Sequence, residues 1–118
     1  MILDTGSKLE AFLAGSVSAS QPQIHVTYAP WNPQGVIVKP TTFRVVMTDT
    51  TPVTILAAPV TNPTLEILGV DVYNKDSASV TLTIQIDDGT TDWVWVKYAL
   101  ATVKTFQWRK YTGWIVSP

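Results

Sequence analysis

The chain has 118 residues, of which 46% are hydrophobic, 14% are charged and none is cysteine, and its formal net charge is -1. A chain of this length without a break in composition fits a single domain, residues 1–118, large enough to bury its own core. Its eight lysine and arginine residues form no local cluster, which argues against nucleic acid as a partner. The lack of cysteine excludes disulfides and thiolate chemistry.

The amino-terminal segment, residues 1–15, lacks a basic start followed by a continuous apolar run. We therefore expect neither a signal peptide nor a membrane span, no membrane partner, and folding in a cytoplasm. Ile2 and Leu3 predict a short first strand. Lys8 to Ala14 suits either a helix face or an alternating strand, and we favour the strand because the rest of the chain has no helical period.

The middle of the chain alternates short β-branched runs with turn residues. Ile24, Val26 and Tyr28 alternate as a strand. Residues 29–35, APWNPQG, contain two prolines and a glycine and predict a structured loop. Further extended segments are predicted at residues 36–39, 42–47 and 53–57.

Residues 65–100 have the strongest strand pattern and predict a meander of three consecutive antiparallel strands. In the second of them, Val80 to Asp87, apolar and polar residues alternate strictly, as in a half-buried strand. Asp88-Gly89 predicts a hairpin turn because this pair tolerates positive φ angles. Residues 74–77 predict a loop whose polar side chains bond their own backbone.

The carboxyl-terminal part predicts a last pair of strands, through residues 103–108 and 114–116. The whole chain then contains about eight to ten short strands with turn signals at regular spacing, which is typical of a sandwich or small barrel. The predicted fold class is therefore all-β: an antiparallel β-sandwich, jelly-roll-like.

Residues suited to catalysis or metal binding are few. His25 is the only histidine and lies within an alternating strand, which favours a structural or surface role over a general base. No common hydrolase, metalloprotease or nucleotide-binding motif occurs. Asp87, Asp88 and Asp92 offer oxygen ligands of the kind that calcium prefers, but a hairpin turn already explains Asp88-Gly89. We expect no enzyme activity, no metal and no cofactor.

The tryptophan pair Trp93 and Trp95 is the most informative group of side chains. Strict alternation would place both rings on one face of their strand with Lys97, and apolar residues on the other face as well. A strand at the surface of a one-sided antiparallel sheet would alternate apolar with polar residues. Two interpretations remain open: both rings fill the sandwich interior, or Trp93, Trp95 and Lys97 form a subunit interface, where aromatic residues are enriched.

Three other aromatic residues, Trp31, Tyr111 and Trp114, are candidates for loop contacts. Trp31 lies in the proline-rich segment and Tyr111 near the carboxyl end. Such rings either anchor their own loops or stack on a sugar face. The second possibility makes a carbohydrate-binding module that recognises surface glycans the alternative function. A small hydrolase is a third, less favoured hypothesis.

Several short segments resemble small β-structured virion proteins of tailed bacteriophages. They are Ser7-Lys8-Leu9-Glu10 followed by Leu13-Ala14-Gly15, then Val26-Thr27-Tyr28, the segment from Val70 to Asp76, the Asp88-Gly89 turn and the terminal Gly113-Trp114. The resemblance implies a non-enzymatic β-sandwich, often a trimer, that decorates a capsid or accompanies the tail. It implies association with itself and with other virion proteins, a location in the virion, and assembly in the host cytoplasm.

Overall fold

The fold is described from a computed structural model, which covers residues 1–31, 34, 37, 39–59 and 64–117. Within these ranges the chain forms ten β-strands. In chain order they are β1 (Ile2–Leu3), β2 (Lys8–Leu13), β3 (Gln23–Pro30), β4 (Thr41–Val46), β5 (Val53–Leu56), β6 (Leu65–Tyr73), β7 (Val80–Asp87), β8 (Asp92–Leu100), β9 (Thr105–Arg109) and β10 (Gly113–Ser117).

The strands form two antiparallel sheets packed as a sandwich. Sheet A has the order β10-β9-β6-β3-β4, with β1 also paired to β6, and sheet B has the order β5-β2-β7-β8. The chain crosses between the sheets at the β1–β2, β2–β3, β4–β5, β5–β6, β6–β7 and β8–β9 connections. The all-β antiparallel sandwich predicted from the sequence is confirmed, with a strand number inside the predicted range.

The core lies between the two sheets and follows from the period-two alternation of each strand. In β2, the inward side chains of Leu9, Ala11 and Leu13 are fully buried. In β3, Ile24 and Val26 are buried in the same way. Further core residues include Met47, Ile55, Ile67, Val70, Val72, Leu82, Ile84, Leu100 and Phe106.

The predicted three-strand meander is wrong at its first step. β6 belongs to sheet A, between β3 and β9, whereas β7 belongs to sheet B, between β2 and β8. Only the β7–β8 hairpin of the meander is present. Alternation indicates that one face of a strand is buried, but it does not tell which sheet supplies the neighbouring strand. The polar loop at residues 74–79 carries the chain from one sheet to the other.

Asp76 fixes this crossover by a contact that the sequence pattern did not predict. Its carboxylate accepts hydrogen bonds from the backbone N–H groups of Ser18 at 2.9 Å, Ala19 at 2.7 Å and Ser20 at 3.1 Å. It also accepts one from Ser77 at 2.8 Å, the local bond that was expected. These bonds, that from Ser18 foremost, lower the pKa of Asp76 to about 2 because they favour the charged form.

Most other predicted segments are confirmed within a residue or two. Lys8 to Leu13 is a strand and not a helix, and the β9–β10 hairpin is present. The Asp88-Gly89 turn is part of a four-residue connection between Asp87 and Asp92, which are paired, and Gly89 has φ +94°. Part of the predicted 29–35 loop and of the 36–39 extended segment lies outside the described residues; Ile37 and Lys39 are described and are not in a strand.

The described part of the chain contains no helix with the length and hydropathy required to span a membrane.

Candidate assembly surface at the edge of sheet B

Strand β8 forms one edge of sheet B. It pairs with β7 along its length, and no other described strand pairs with its second side. It is nine residues long, and its exposed apolar side chains include Trp93, 59% exposed, Val94, 63% exposed, and Tyr98, 38% exposed. This edge therefore offers both unpaired backbone groups and apolar surface.

A β-bulge at Trp95 changes which side chains share a face of β8. Ile84 pairs with Val96, whereas the next residue of β7, Gln85, pairs with Val94, so Trp95 is the extra residue. In such a bulge two adjacent side chains turn to the same side. Both Trp95 and Val96 pack against the core. The strict alternation expected for this strand is therefore wrong: Trp95 faces inward, whereas Lys97 lies opposite Thr83 on the outward face.

The inward ring of Trp95 belongs to an aromatic cluster that joins the two sheets. Its ring centroid lies 5.0 Å from that of Trp108 and 5.1 Å from that of Trp114, both in edge-to-face geometry. Phe106 stacks on Tyr98 at 4.5 Å and on Trp114 at 4.4 Å, with nearly parallel planes. Since Tyr98 and Trp95 come from β8 and the others from β9 and β10, the cluster fixes the edge of sheet B against sheet A.

Trp93 is held differently, at the outer end of β8. Its indole N–H donates a hydrogen bond of 3.0 Å to the carboxylate of Asp88. The same carboxylate accepts bonds from the backbone of Thr90 and Thr91. The bond from Trp93, followed by those from Thr90 and Thr91, holds the pKa of Asp88 well below its usual value because these bonds favour the charged carboxylate. The ring is thus oriented while most of its surface stays exposed.

Four charged side chains lie together on the outward face of sheet B, next to β8. Carboxylate oxygens of Glu10, Asp87 and Asp92 lie within 4.8 Å of one another. The ammonium group of Lys8 lies 3.2 Å from Glu10 and 3.7 Å from Asp87. Because Lys8 already occupies the position of a cation for two of these acids, the cluster is an ion-pair network in which negative charge is in excess.

Much of the outward face of sheet A is polar, although its edge strands β4 and β10 also expose apolar side chains, Phe43 and Ile115 among them. Arg109 pairs with Asp71 at 2.8 Å, and Thr27 bonds Thr42 at 3.1 Å. His25, the residue considered as a general base, is half-buried on this face and lies opposite Arg44 and Asp71 in the sheet. These contacts are those of a solvated sheet face.

The three loop-contact candidates occupy different environments. Trp114 lies in β10 and not in a loop, and its ring is stacked within the aromatic cluster. Tyr111, 85% exposed, lies in the turn before β10. Trp31, 39% exposed, is fixed by its backbone N–H, which donates to the carbonyl of Thr64 at 2.7 Å. Trp31 and Tyr111 are therefore accessible for contacts with a ligand, whereas Trp114 packs inside the aromatic cluster and is not a loop-contact residue.

Of the residues singled out for an interface, Trp93 and Lys97 are exposed, whereas Trp95 is half-buried between the sheets. Sequence reasoning grouped Asp87 and Asp92 but placed Asp88 with them, and it missed the bulge and the contribution of Glu10 and Lys8 to the charged cluster, because these depend on pairing between strands that are distant in the chain. Comparison of the chain with protein-family models, with curated proteins and with solved structures gives no match in any of the three.

Proposed function

We propose that this protein is a non-enzymatic structural component of a tailed-phage virion, either a capsid decoration protein or a tail accessory protein. It acts by associating with copies of itself and by docking on larger virion proteins. The observation that carries this proposal is the uncovered edge strand β8, with Trp93 and Val94 more than half exposed. The phage context comes from the resemblance of short sequence segments, from Ser7 to Trp114.

An open, apolar edge strand supports an assembly role because monomeric proteins protect such edges. Natural sheets place charged residues, prolines or short strands at their edges to prevent pairing with other chains. β8 carries two charged residues, Asp92 and Lys97, and a bulge, which also discourages pairing, but it is nine residues long and keeps Trp93 and Val94 more than half exposed. The opposite edge of sheet B, β5, has four residues. Of the two edges of sheet B, the longer one, β8, is therefore the better candidate for pairing with another chain.

The energy available at such a surface suits a repeated assembly. Burial of an apolar side chain that is half exposed contributes on the order of 1 kcal/mol. One contact of this size is weak, but a subunit that makes several contacts on a lattice gains affinity by multivalency. The low fraction of charged residues, 14%, agrees with association by apolar burial and not by long-range charge steering.

The particle itself provides the test of this function. Antibodies raised against the purified protein would be used to probe density-gradient-purified phage particles from a lysate in which the chain is expressed from its own genome. We expect a band at the chain mass of 13.0 kDa in the particle fraction and gold labelling of the head or tail. A protein that remains entirely in the free fraction would contradict the proposal.

The contribution of Trp93 to assembly can be separated from that of Trp95. Trp93→Ala removes an exposed ring, so the variant should stay folded and lose oligomeric mass in light scattering. Trp95→Ala removes a ring of the inter-sheet cluster, so its main effect should be a lower free energy of unfolding. Were Trp93→Ala to keep the wild-type oligomeric mass, the assignment of this ring to an interface would be wrong.

A carbohydrate-binding module is the second candidate function, favoured by the position of two exposed rings. Trp31 bonds Thr64, and Lys110, next to Tyr111, pairs with Glu66 at 2.6 Å, so both rings lie towards the same end of β6. Exposed aromatic rings at one end of a sandwich can stack on sugar faces. A glycan array separates the candidates: binding that is lost in Trp31→Ala and Tyr111→Ala would favour this function over assembly.

A further inference from the structure

Two complementary charges on the outward face of β8 have no ion-pair partner in the part of the chain that the structure describes. Among the described residues, neither Asp92 nor Lys97 takes part in an ion pair. Asp92 lies beside Glu10 and Asp87, whereas Lys8 contacts those two acids and not Asp92. An acidic cluster with excess negative charge and an unpaired lysine thus lie on the same free edge.

We propose that β8 pairs in antiparallel fashion with β8 of a second copy of this chain, about a two-fold axis that passes through Val94. This inference rests on the proposed function, in that it names the surface by which the protein associates with itself. A symmetric pair of identical antiparallel strands requires an axis at which one residue faces its own copy. The choice of that residue then fixes every other pair.

Because of the bulge, a two-fold axis at Val94 places residues of opposite charge opposite each other. Because Trp95 and Val96 together occupy one position of the strand, Asp92 and Lys97 lie two positions away from Val94 on either side. An axis at Val94 therefore places Asp92 opposite the partner's Lys97, and the symmetry makes this ion pair twice. Opposite charges at directly paired positions stabilise a sheet, whereas like charges destabilise it.

The same axis also pairs the apolar residues of the edge. Val94, which is 63% exposed, faces the partner's Val94, and Trp93 faces the partner's Val96. The pairing would join the two four-stranded sheets into one continuous sheet and satisfy backbone groups that are free at the edge.

Other axes along β8 are less favourable. An axis at Lys97 places two lysines opposite each other, and an axis at the bulge places Asp92 opposite the partner's Ala99. Only the axis at Val94 gives each charge a partner of opposite sign. Since such an assembly is two-fold, it also differs from the trimer that the sequence resemblance implies.

Charge reversal with mixing tests the pairing directly. Asp92→Lys places two lysines opposite each other in a homodimer, and Lys97→Asp places two aspartates opposite each other. We expect each single variant to lose association at least about tenfold, because like charges placed opposite each other across an interface repel. An equimolar mixture of the two variants restores both opposite-charge pairs and should recover the mass of a dimer, twice 13.0 kDa. The double variant Asp92→Lys with Lys97→Asp should also recover it.

Matched controls separate the interface from general effects of charge and folding. Asp4→Lys and Lys75→Asp make the same charge changes at exposed positions away from β8 and should leave association unchanged. Val94→Arg places two cations at the proposed axis, and Ile115→Arg is its control on β10, where Ile115 is 50% exposed. Circular dichroism checks that each variant is folded. If a charge-reversal variant does not fold, the effect of Val94→Arg on association tests the pairing in its place.

The results distinguish failure of this inference from failure of the proposed function. Light scattering over about two orders of magnitude in protein concentration gives the mass of each sample. An oligomer that is unaffected by both single variants and by Val94→Arg, a wild-type mass of three chains, or a wild-type monomer throughout would each overturn the two-fold pairing. The virion assignment is decided separately, by the presence of the protein in purified particles.

Discussion

Replacement of Phe106 by leucine tests the aromatic cluster that holds the two sheets together. Phe106 is 3% exposed and stacks on Tyr98 at 4.5 Å and on Trp114 at 4.4 Å. Leucine keeps most of the buried apolar surface but removes both ring pairs, each of which is worth about 0.5–1.5 kcal/mol beyond area burial. We therefore expect Phe106→Leu to lower the free energy of unfolding by about 1–3 kcal/mol, and Phe106→Ala to lower it by about 3–5 kcal/mol.

Urea unfolding followed by tryptophan fluorescence and circular dichroism measures these changes, at one fixed protein concentration because association shifts apparent stability. Phe43→Leu is the matched control: Phe43 lies on the edge strand β4 and is 45% exposed, so its replacement should cost less than about 0.5 kcal/mol. The interpretation of the cluster as an inter-sheet connection would be refuted if Phe106→Leu were no more destabilising than Phe43→Leu.

Three further predictions concern the loops. The pKa of Asp76 is lowered from 3.8 to about 2, so the stability that its charged form contributes is present above the unfolded pKa and is lost as pH falls towards about 2. Asp76→Asn should make the free energy of unfolding less dependent on pH in that window. An unchanged pH profile would contradict the role of its hydrogen bonds. Asn74→Ala removes side-chain bonds to the backbone, including one of 2.9 Å to the Leu100 carbonyl, and should cost about 1–3 kcal/mol in urea unfolding; a neutral effect would argue against it. Gly89→Ala forces alanine to φ +94° and should cost about 1 kcal/mol, whereas Gly15→Ala, with open space around it, should be neutral; equal Tm values for the two variants would disprove the strain.

The fold class was predictable from the sequence because it depends on local patterns. Alternation in Val80 to Asp87 reports a half-buried strand wherever its neighbours come from, and Asp88-Gly89 marks the end of a strand by its own conformational preference. β2 was distinguished from a helix by the lack of helical periodicity in the rest of the chain. Each of these signals is contained within a few residues.

The pairing of strands was not predictable in the same way. β6 and β7 are consecutive, yet they belong to different sheets, and their crossover is fixed by Asp76 through bonds to residues that lie 56 to 58 positions away. The alternation of β6 is equally compatible with either sheet. Contacts of such sequence separation leave no local signature.

The candidate site was predictable in part. The sequence singled out Trp93, Trp95 and Lys97 as a group, and the structure divides that group between an exposed edge and an inter-sheet cluster. The bulge reverses the face of every later side chain in β8 and so separates Lys97 from the two rings, whereas Trp93 is exposed because it lies near the end of the strand. The symmetric spacing of Asp92 and Lys97 about Val94 could not be predicted from the sequence, because it depends on the bulge at Trp95.

Hydrogen–deuterium exchange at low and high protein concentration tests the central claim, association through the edge of sheet B. The amides of β8, residues 92–100, should become more protected at high concentration, while those of β4 and β10, the edges of sheet A, should not change. An increase in oligomeric mass without added protection in β8, or with protection at β4 or β10 instead, would contradict the account.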